Sequence, residues 1–577
     1  MTLAPPVKQN YQRTFLPEEL KVNSFQDVEL YFKNLQEREI NSLDSLMRWL
    51  KDKSELLSAV NEEGSWRYIR FTCHTDNNGY ITAFNNFITE IEPECERFIN
   101  RLNNKFLKNQ YLTELKKNHR YINLIRKAEM EAKLFREENV LLFTEIQKLE
   151  KEYNRICGDM TIMDGEKELT LQQATNFLKK NDRALRQNFY ERISKRRLQD
   201  KDQLDELFSK LIRMRHQMAL NAGYSNFRNF SFDLLERFDY TIADCHQFHN
   251  SIQRVMCPLN AWFAEKRKQG LKLTILKPWD LLVDARGMEP VIPFNNTNEL
   301  IEKSINCFDA VNPYFAVCLN IMNESKHLDL ESRKAKAPGG YNCPLDETGI
   351  PFIFMNSASS FRDMITMLHE GGHAVHSFAM NELELREFRH VPSEIAELAS
   401  MGMELLSMNQ WNAFIQNSEQ LRQAKLQHLE QIISLFPWIS LVDKFQHWVY
   451  ENPFHSPKER GETWKKMFEI FHPDIADWSG YEDDLTFMWQ KQNHIFTSPF
   501  YYIEYAFAQL GALALWKNNC INPNKTLQNY LDALKLGFTK SIPEVYDTAG
   551  IKFDFTEKYL LDVCDFVKKE FNELLKS

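Results

Sequence analysis

Residues 360–378 read SFRDMITMLHEGGHAVHSF, and the rest of the chain is best read outward from them. Ser360 suits a helix N-cap, Asp363 adds negative charge to the first turn, and apolar residues then recur at helical spacing. On that helix His369 and His373 stand four residues apart. They share one face, one turn apart, so both imidazoles reach a single ion, and Glu370 sits beside it, placed to take a proton from water. Zinc accepts nitrogen and oxygen ligands and, when catalytic, keeps a position open for water. Gly371 and Gly372 each cost a helix about 1 kcal/mol relative to alanine, which is tolerable where another backbone or a substrate comes close.

A tripodal site needs a third ligand. Residues 391–408 supply a second helix, opened by Pro392, that carries Glu394, Glu397 and Glu404 on one face. Spacing leaves Glu394 and Glu397 both open as the ligand. Glu404 is either an acceptor that orients a ligand imidazole or an exposed carboxylate. The pattern with a third histidine six residues after His373 is absent, since His376 and Ala379 occupy the diagnostic positions. His376 reads as a helix histidine or substrate contact, because a fourth protein ligand would close the site.

Two neighbouring segments carry further signals. PFIFMN (351–356) is a short apolar run with β character, preceded by a loop around Gly339 and Gly340. Far downstream, residues 493–511 gather His494, Tyr501, Tyr502 and Tyr505, whose imidazole and phenol donors suit an oxyanion; for any one tyrosine alone, aromatic core packing is the simpler reading.

At 577 residues the chain exceeds what one hydrophobic core supports, so two lobes are expected. Only 18 Gly and 20 Pro punctuate it, which argues for long helices, as in residues 123–150 and 176–220. Asp164-Gly165 between short apolar runs signals a hairpin, and the lobe boundary is placed just after it: an N-terminal helical lobe at 1–175 and a catalytic domain at 176–577. The net charge of −9 gives no footprint for nucleic acid. Ten cysteines without CxxC spacing suit reduced thiols better than disulfides or a Cys-ligated zinc. Neither a signal peptide nor a membrane span is legible, so a cytoplasmic protein with no membrane partner is expected.

RKAKAPGGY (333–341), PFIFMN, MLHEGGHAVHSF (367–378), AELAS (396–400) with Glu404 beyond it, and HIFTSPFYYIEY (494–505) together resemble the oligoendopeptidase F family, relatives of thimet oligopeptidase. The resemblance implies that Glu397 is the third ligand of one zinc ion per chain, and that His494, Tyr501 and Tyr505 contact substrate and transition state. Family members often carry tyrosine where Ile503 stands here, with Tyr502 one position earlier, so the division of labour among the tyrosines stays open. It further implies a mostly helical fold, two lobes enclosing a deep channel that admits short unfolded peptides, with a small sheet beside the histidine helix.

The combined expectation is a zinc endopeptidase acting on oligopeptides, with Glu370 as general base and the substrate paired with the edge of the 351–356 strand. Two alternatives stand beside it. One is a dipeptidyl carboxypeptidase on the same scaffold, which needs a cationic anchor for the substrate carboxylate. The other is a peptide-binding protein with a structural zinc, against which the intact Glu370 speaks.

Overall fold

The computed structural model describes residues 13–576. Among them the chain forms 25 α-helices and five short strands, the mostly helical architecture expected from its sparse Gly and Pro. The strands are β1 (Thr161–Asp164), β2 (Lys167–Thr170), β3 (Leu328–Glu331), β4 (Tyr341–Cys343) and β5 (Phe352–Ser357). β1 and β2 make the expected antiparallel hairpin, closed where Asp164 pairs with Lys167 and Gly165 adopts φ +62°. That left-handed conformation suits glycine, which has no Cβ to clash.

The other sheet has the order β3-β5-β4, with β5 parallel to β3 and antiparallel to β4. This corrects one expectation. Most of the 351–356 segment lies on β5, the central strand, which is flanked by β3 and, over Phe352–Phe354, by β4, so it is not the free sheet edge that was expected to take the peptide. The antiparallel edge belongs to β4, where Tyr341 pairs with Phe354 and stacks on its ring at 4.8 Å.

Contacts within the chain group into two compact units, each built from three separated segments. The first comprises Met1–Lys133, Val291–Arg422 and Ala508–Phe553, and the second Leu134–Pro290, Gln423–Phe507 and Asp554–Ser577, each within the described range. Units assembled from distant segments follow a different criterion from a single cut after residue 175. No helix among the described residues is long and apolar enough to cross a membrane, and all ten cysteines are free thiols.

In the first unit the helix Phe361–Met380, here the motif helix, starts as the sequence predicts. Ser360 accepts from the Asp363 backbone N–H at 3.3 Å, and Asp363 accepts from the Ser360 N–H at 2.9 Å, a reciprocal capping box. The helix is buried on nearly every side, from Phe361, Met364 and Leu368 to Val375 and Phe378. A second helix, Ser393–Leu406, here the carboxylate helix, packs against it, itself anchored by Tyr530 Oη donating to Ala399 O at 2.6 Å and Tyr546 Oη donating to Glu394 O at 3.1 Å.

The two glycines account for how closely these helices meet. A Cβ on Gly372 would lie 2.7 Å from Ser400 Cα and 2.8 Å from Ala399 O, and one on Gly371 would lie 2.7 Å from the Phe308 ring. At Gly372 the obstacle is main chain and cannot swing aside. Gly372→Ala is therefore expected to destabilise the protein by about 1–3 kcal/mol, despite alanine's better helix propensity, by wedging the helices apart. Urea unfolding of the variant checks this, and unchanged stability would contradict the close approach.

Candidate metal centre

His369 and His373 project from the motif helix with their rings 5.0 Å apart and nearly perpendicular. Glu397, on the carboxylate helix, points its Oε2 between them, 3.3 Å from His369 Nε2 and 3.7 Å from His373 Nε2. One ligand atom from each of the three lies within 4.8 Å of the others. Two imidazole nitrogens and a carboxylate oxygen form a donor set suited to zinc, and the side chains of both histidines stay about one-fifth exposed, so the trio can be approached.

The positions of the three donors are themselves held. Glu404 Oε1 sits 2.7 Å from His369 Nδ1, accepting its proton and turning Nε2 toward Glu397. Ser400 Oγ donates to Glu397 Oε2 at 2.9 Å. Of the readings left open for Glu404, the structure places it as a buried acceptor. Glu394 is also buried but outside the trio, with its backbone carbonyl engaged by Tyr546. His376 likewise stands apart: burial and the neighbouring His373 push its pKa down to about 3, against the raising effect of a backbone contact at Leu534, which makes it a neutral core histidine.

The electrostatics favour positive charge between these groups. Burial opposes a charge on His369, yet Glu397 and Glu404 outweigh it and hold its pKa well above the usual value. Burial would raise the Glu397 carboxyl, but His373 and His369 bring it down to about 2. His373 is lowered to about 4 by burial, with Glu397 opposing. A proton and a divalent cation thus compete for one place, as ligand sets of this kind require. Glu370 lies beside it, pushed up to about 7 chiefly by burial, with His369 and the Asn342 backbone amide pulling the other way. Replacing Glu404 with Ala is expected to weaken zinc binding or activity by about 10–100-fold, measurable by competition with a chromophoric chelator.

In the second unit the predicted aromatic cluster does assemble. The His494 ring lies 4.6 Å from Tyr502, 5.8 Å from Tyr505 and 6.2 Å from Tyr501, centroid to centroid, and Tyr501 meets Tyr505 edge-on at 5.3 Å. All four are half-buried, whereas Ile503 is fully buried, so Tyr502 joins the cluster and Ile503 the core. Two residues that the sequence reading did not single out fix the histidine. Gln492 Nε2 donates to His494 Nδ1 at 2.8 Å, which leaves the ring proton on Nε2, and Trp438 Nε1 donates to Gln492 Oε1 at 2.9 Å. Phe500, at φ +68°, is held in a left-handed conformation rare for a bulky residue by Gln446, which accepts from its N–H at 2.5 Å, and by Arg237, which donates to its carbonyl at 2.5 Å.

A model of the peptidase family M3 matches residues 176–563, and one of the M3 N-terminal domain matches residues 15–135. The chain belongs to peptidase family M3. This M3 metallopeptidase is similar to the oligoendopeptidase F homolog of Borreliella burgdorferi, 24% identical and covering 95% of this chain and 94% of the relative. It is also similar to the solved structure of a putative oligoendopeptidase F, with a TM-score of 0.89 at 25% identity over 96% of this chain and 98% of that one. PZ peptidase A with an inhibitor gives a TM-score of 0.87 at 25% identity, over 98% and 99% of the two chains. The resemblance to oligoendopeptidase F read from the sequence is thus the right one. Family M3 implies zinc, and the His369, His373 and Glu397 donors fit it.

Proposed function

We propose that this M3 peptidase is a zinc-dependent endopeptidase that cleaves internal bonds of short unfolded oligopeptides. The observation that carries the reading is the donor trio with Glu370 on the turn between its two histidines. His369, His373 and Glu397 would hold the ion. When bound, zinc supplies Lewis acidity toward a peptide carbonyl and toward water.

The Glu370 carboxylate takes the proton of the attacking water and hands it to the leaving amine nitrogen. Glu404 keeps the His369 ring in register while this happens. His494, through its Nε2–H, together with the hydroxyl of Tyr501 or of Tyr505, stabilises the oxyanion. The substrate backbone pairs with β4, an edge strand beside the motif helix, where Asn342 Nδ2 donates to Glu370 O at 3.3 Å. Main-chain pairing gives affinity without demanding a particular sequence. A catalytic domain at 176–577 preceded by a helical lobe at 1–175 is part of the same proposal.

The test is mass spectrometry of products from C-terminally amidated peptides of graded length, with and without chelator. Chelator-sensitive internal cleavage supports the endopeptidase. Release of C-terminal dipeptides that requires a free carboxylate would move the assignment to a dipeptidyl carboxypeptidase.

A further inference from the structure

Within the second unit, two long helices bring together a group of donor side chains that the proposed chemistry does not use. Cys245 and His249 stand four apart on the helix Ile242–Gly270, and Asp443 and His447 stand four apart on the helix Ser418–Glu451. Each pair therefore lies on one face of its helix. One ligand atom each from Cys245, Asp443 and His447 falls within 4.8 Å of the others, and all three residues are buried.

The hydrogen bonding inside this cluster is incomplete. His249 Nε2 donates to Asp443 Oδ2 at 2.8 Å, and His447 Nε2 approaches the same oxygen at 3.2 Å. Asp443 Oδ1, His249 Nδ1 and both ring nitrogens of His447 meet no hydrogen-bond partner among the described residues, although Asp443 is fully buried and each histidine only 1% exposed. Buried polar atoms are almost always paired, so the unpaired atoms of Asp443 and His447, in residues whose ligand atoms already lie within 4.8 Å of one another and of Cys245, call for an occupant. A fixed cation, Arg237, stands close by: its guanidinium donates to Glu504 Oε1 at 3.0 Å and to the Phe500 carbonyl, and although it interacts electrostatically with Cys245 and Asp443, its Nε and Nη1 form no hydrogen bond to the cluster.

We propose that Cys245, Asp443 and His447 bind a divalent transition-metal ion of the zinc class, with His249 positioning the Asp443 carboxylate. Sulfur, nitrogen and oxygen donors together suit such an ion rather than calcium or magnesium. On binding, the Cys245 thiol loses its proton to solvent and its sulfur bonds to the metal. The dipositive ion then balances one thiolate and one carboxylate in a buried setting. A His–carboxylate contact behind a ligand is the usual outer partner of a metal site. The proposal departs from the expectation, drawn from missing CxxC spacing, that the cysteines suit reduced thiols better than a Cys-ligated zinc. Its signal was a Cys-x3-His pair and an Asp-x3-His pair on separate helices.

The experiment is expression of the whole chain in minimal medium with cobalt(II) in place of zinc, so that the ion is present while the core forms. The expected result is two cobalt ions per chain and a near-ultraviolet thiolate-to-cobalt charge-transfer absorption, which the His369, His373 and Glu397 donors cannot produce because they contain no sulfur. Cys245→Ser and His447→Ala should each remove that band and one equivalent of cobalt, while Glu397→Gln keeps the band. A cobalt protein without the band, or a band that survives in Cys245→Ser, would overturn the proposal. Should the variants fail to fold, zinc X-ray absorption of the unaltered protein decides: a sulfur neighbour at about 2.3 Å supports the site, and a sulfur-free shell refutes it.

Discussion

Replacement of Glu370 by Gln is expected to lower kcat by about 10²–10⁴-fold with zinc content unchanged. Glu370 is not among the donor trio, so the amide, which matches the carboxylate in shape, leaves the ligand geometry alone. What it removes, on the proposed mechanism, is the ability to accept a proton from water and return it to the leaving amine. The residue is 7% exposed, and its backbone carbonyl is engaged by Asn342, which ties its place to β4 rather than to solvent. The measurement pairs turnover of a fluorogenic peptide with metal analysis of the same sample. A metal-replete variant that turns over within about tenfold of the parent would remove Glu370 from the mechanism.

Glu397→Gln strikes binding instead. As the proposed third ligand, its carboxylate would supply a donor atom together with a negative charge, held ionised down to a pKa of about 2 because His373 and His369 outweigh the effect of burial. An amide keeps the volume and loses the charge. Zinc affinity is expected to fall by more than the roughly 10–100-fold typical of losing an outer partner. Activity should fall with occupancy and recover in part at raised zinc concentration, which distinguishes this variant from Glu370→Gln. Unaltered affinity in a chelator titration would return the choice of third ligand to Glu394.

Much of the centre was legible because its signals are local. A capped helix with His369 and His373 one turn apart needs no knowledge of the rest of the chain, and Pro392 marks the start of the next helix. Glu397 and Glu394 could not be separated by spacing, because the choice depends on how the two helices are rotated against each other. That rotation is set by the Gly372 contact with Ala399 and Ser400 and by Tyr530, more than a hundred residues downstream. The placing of β5 at the sheet centre was hidden for another reason: β4 is only three residues long, too short for an alternating pattern to register. Gln492 and Trp438 carried no signal because they act through another residue. The Cys245 cluster was missed because its halves lie 194 residues apart, measured from His249 to Asp443.

The backbone contact at Gly372 has a bearing on how this centre could be altered. Since main chain rests on main chain there, the span from the histidine pair to Glu397 is governed by the helix axes and hardly at all by rotamer choice. A designer seeking a larger or differently coordinated ion would gain little by exchanging ligands one at a time. The spacing between the two axes is the variable to redesign, beginning with what occupies position 372.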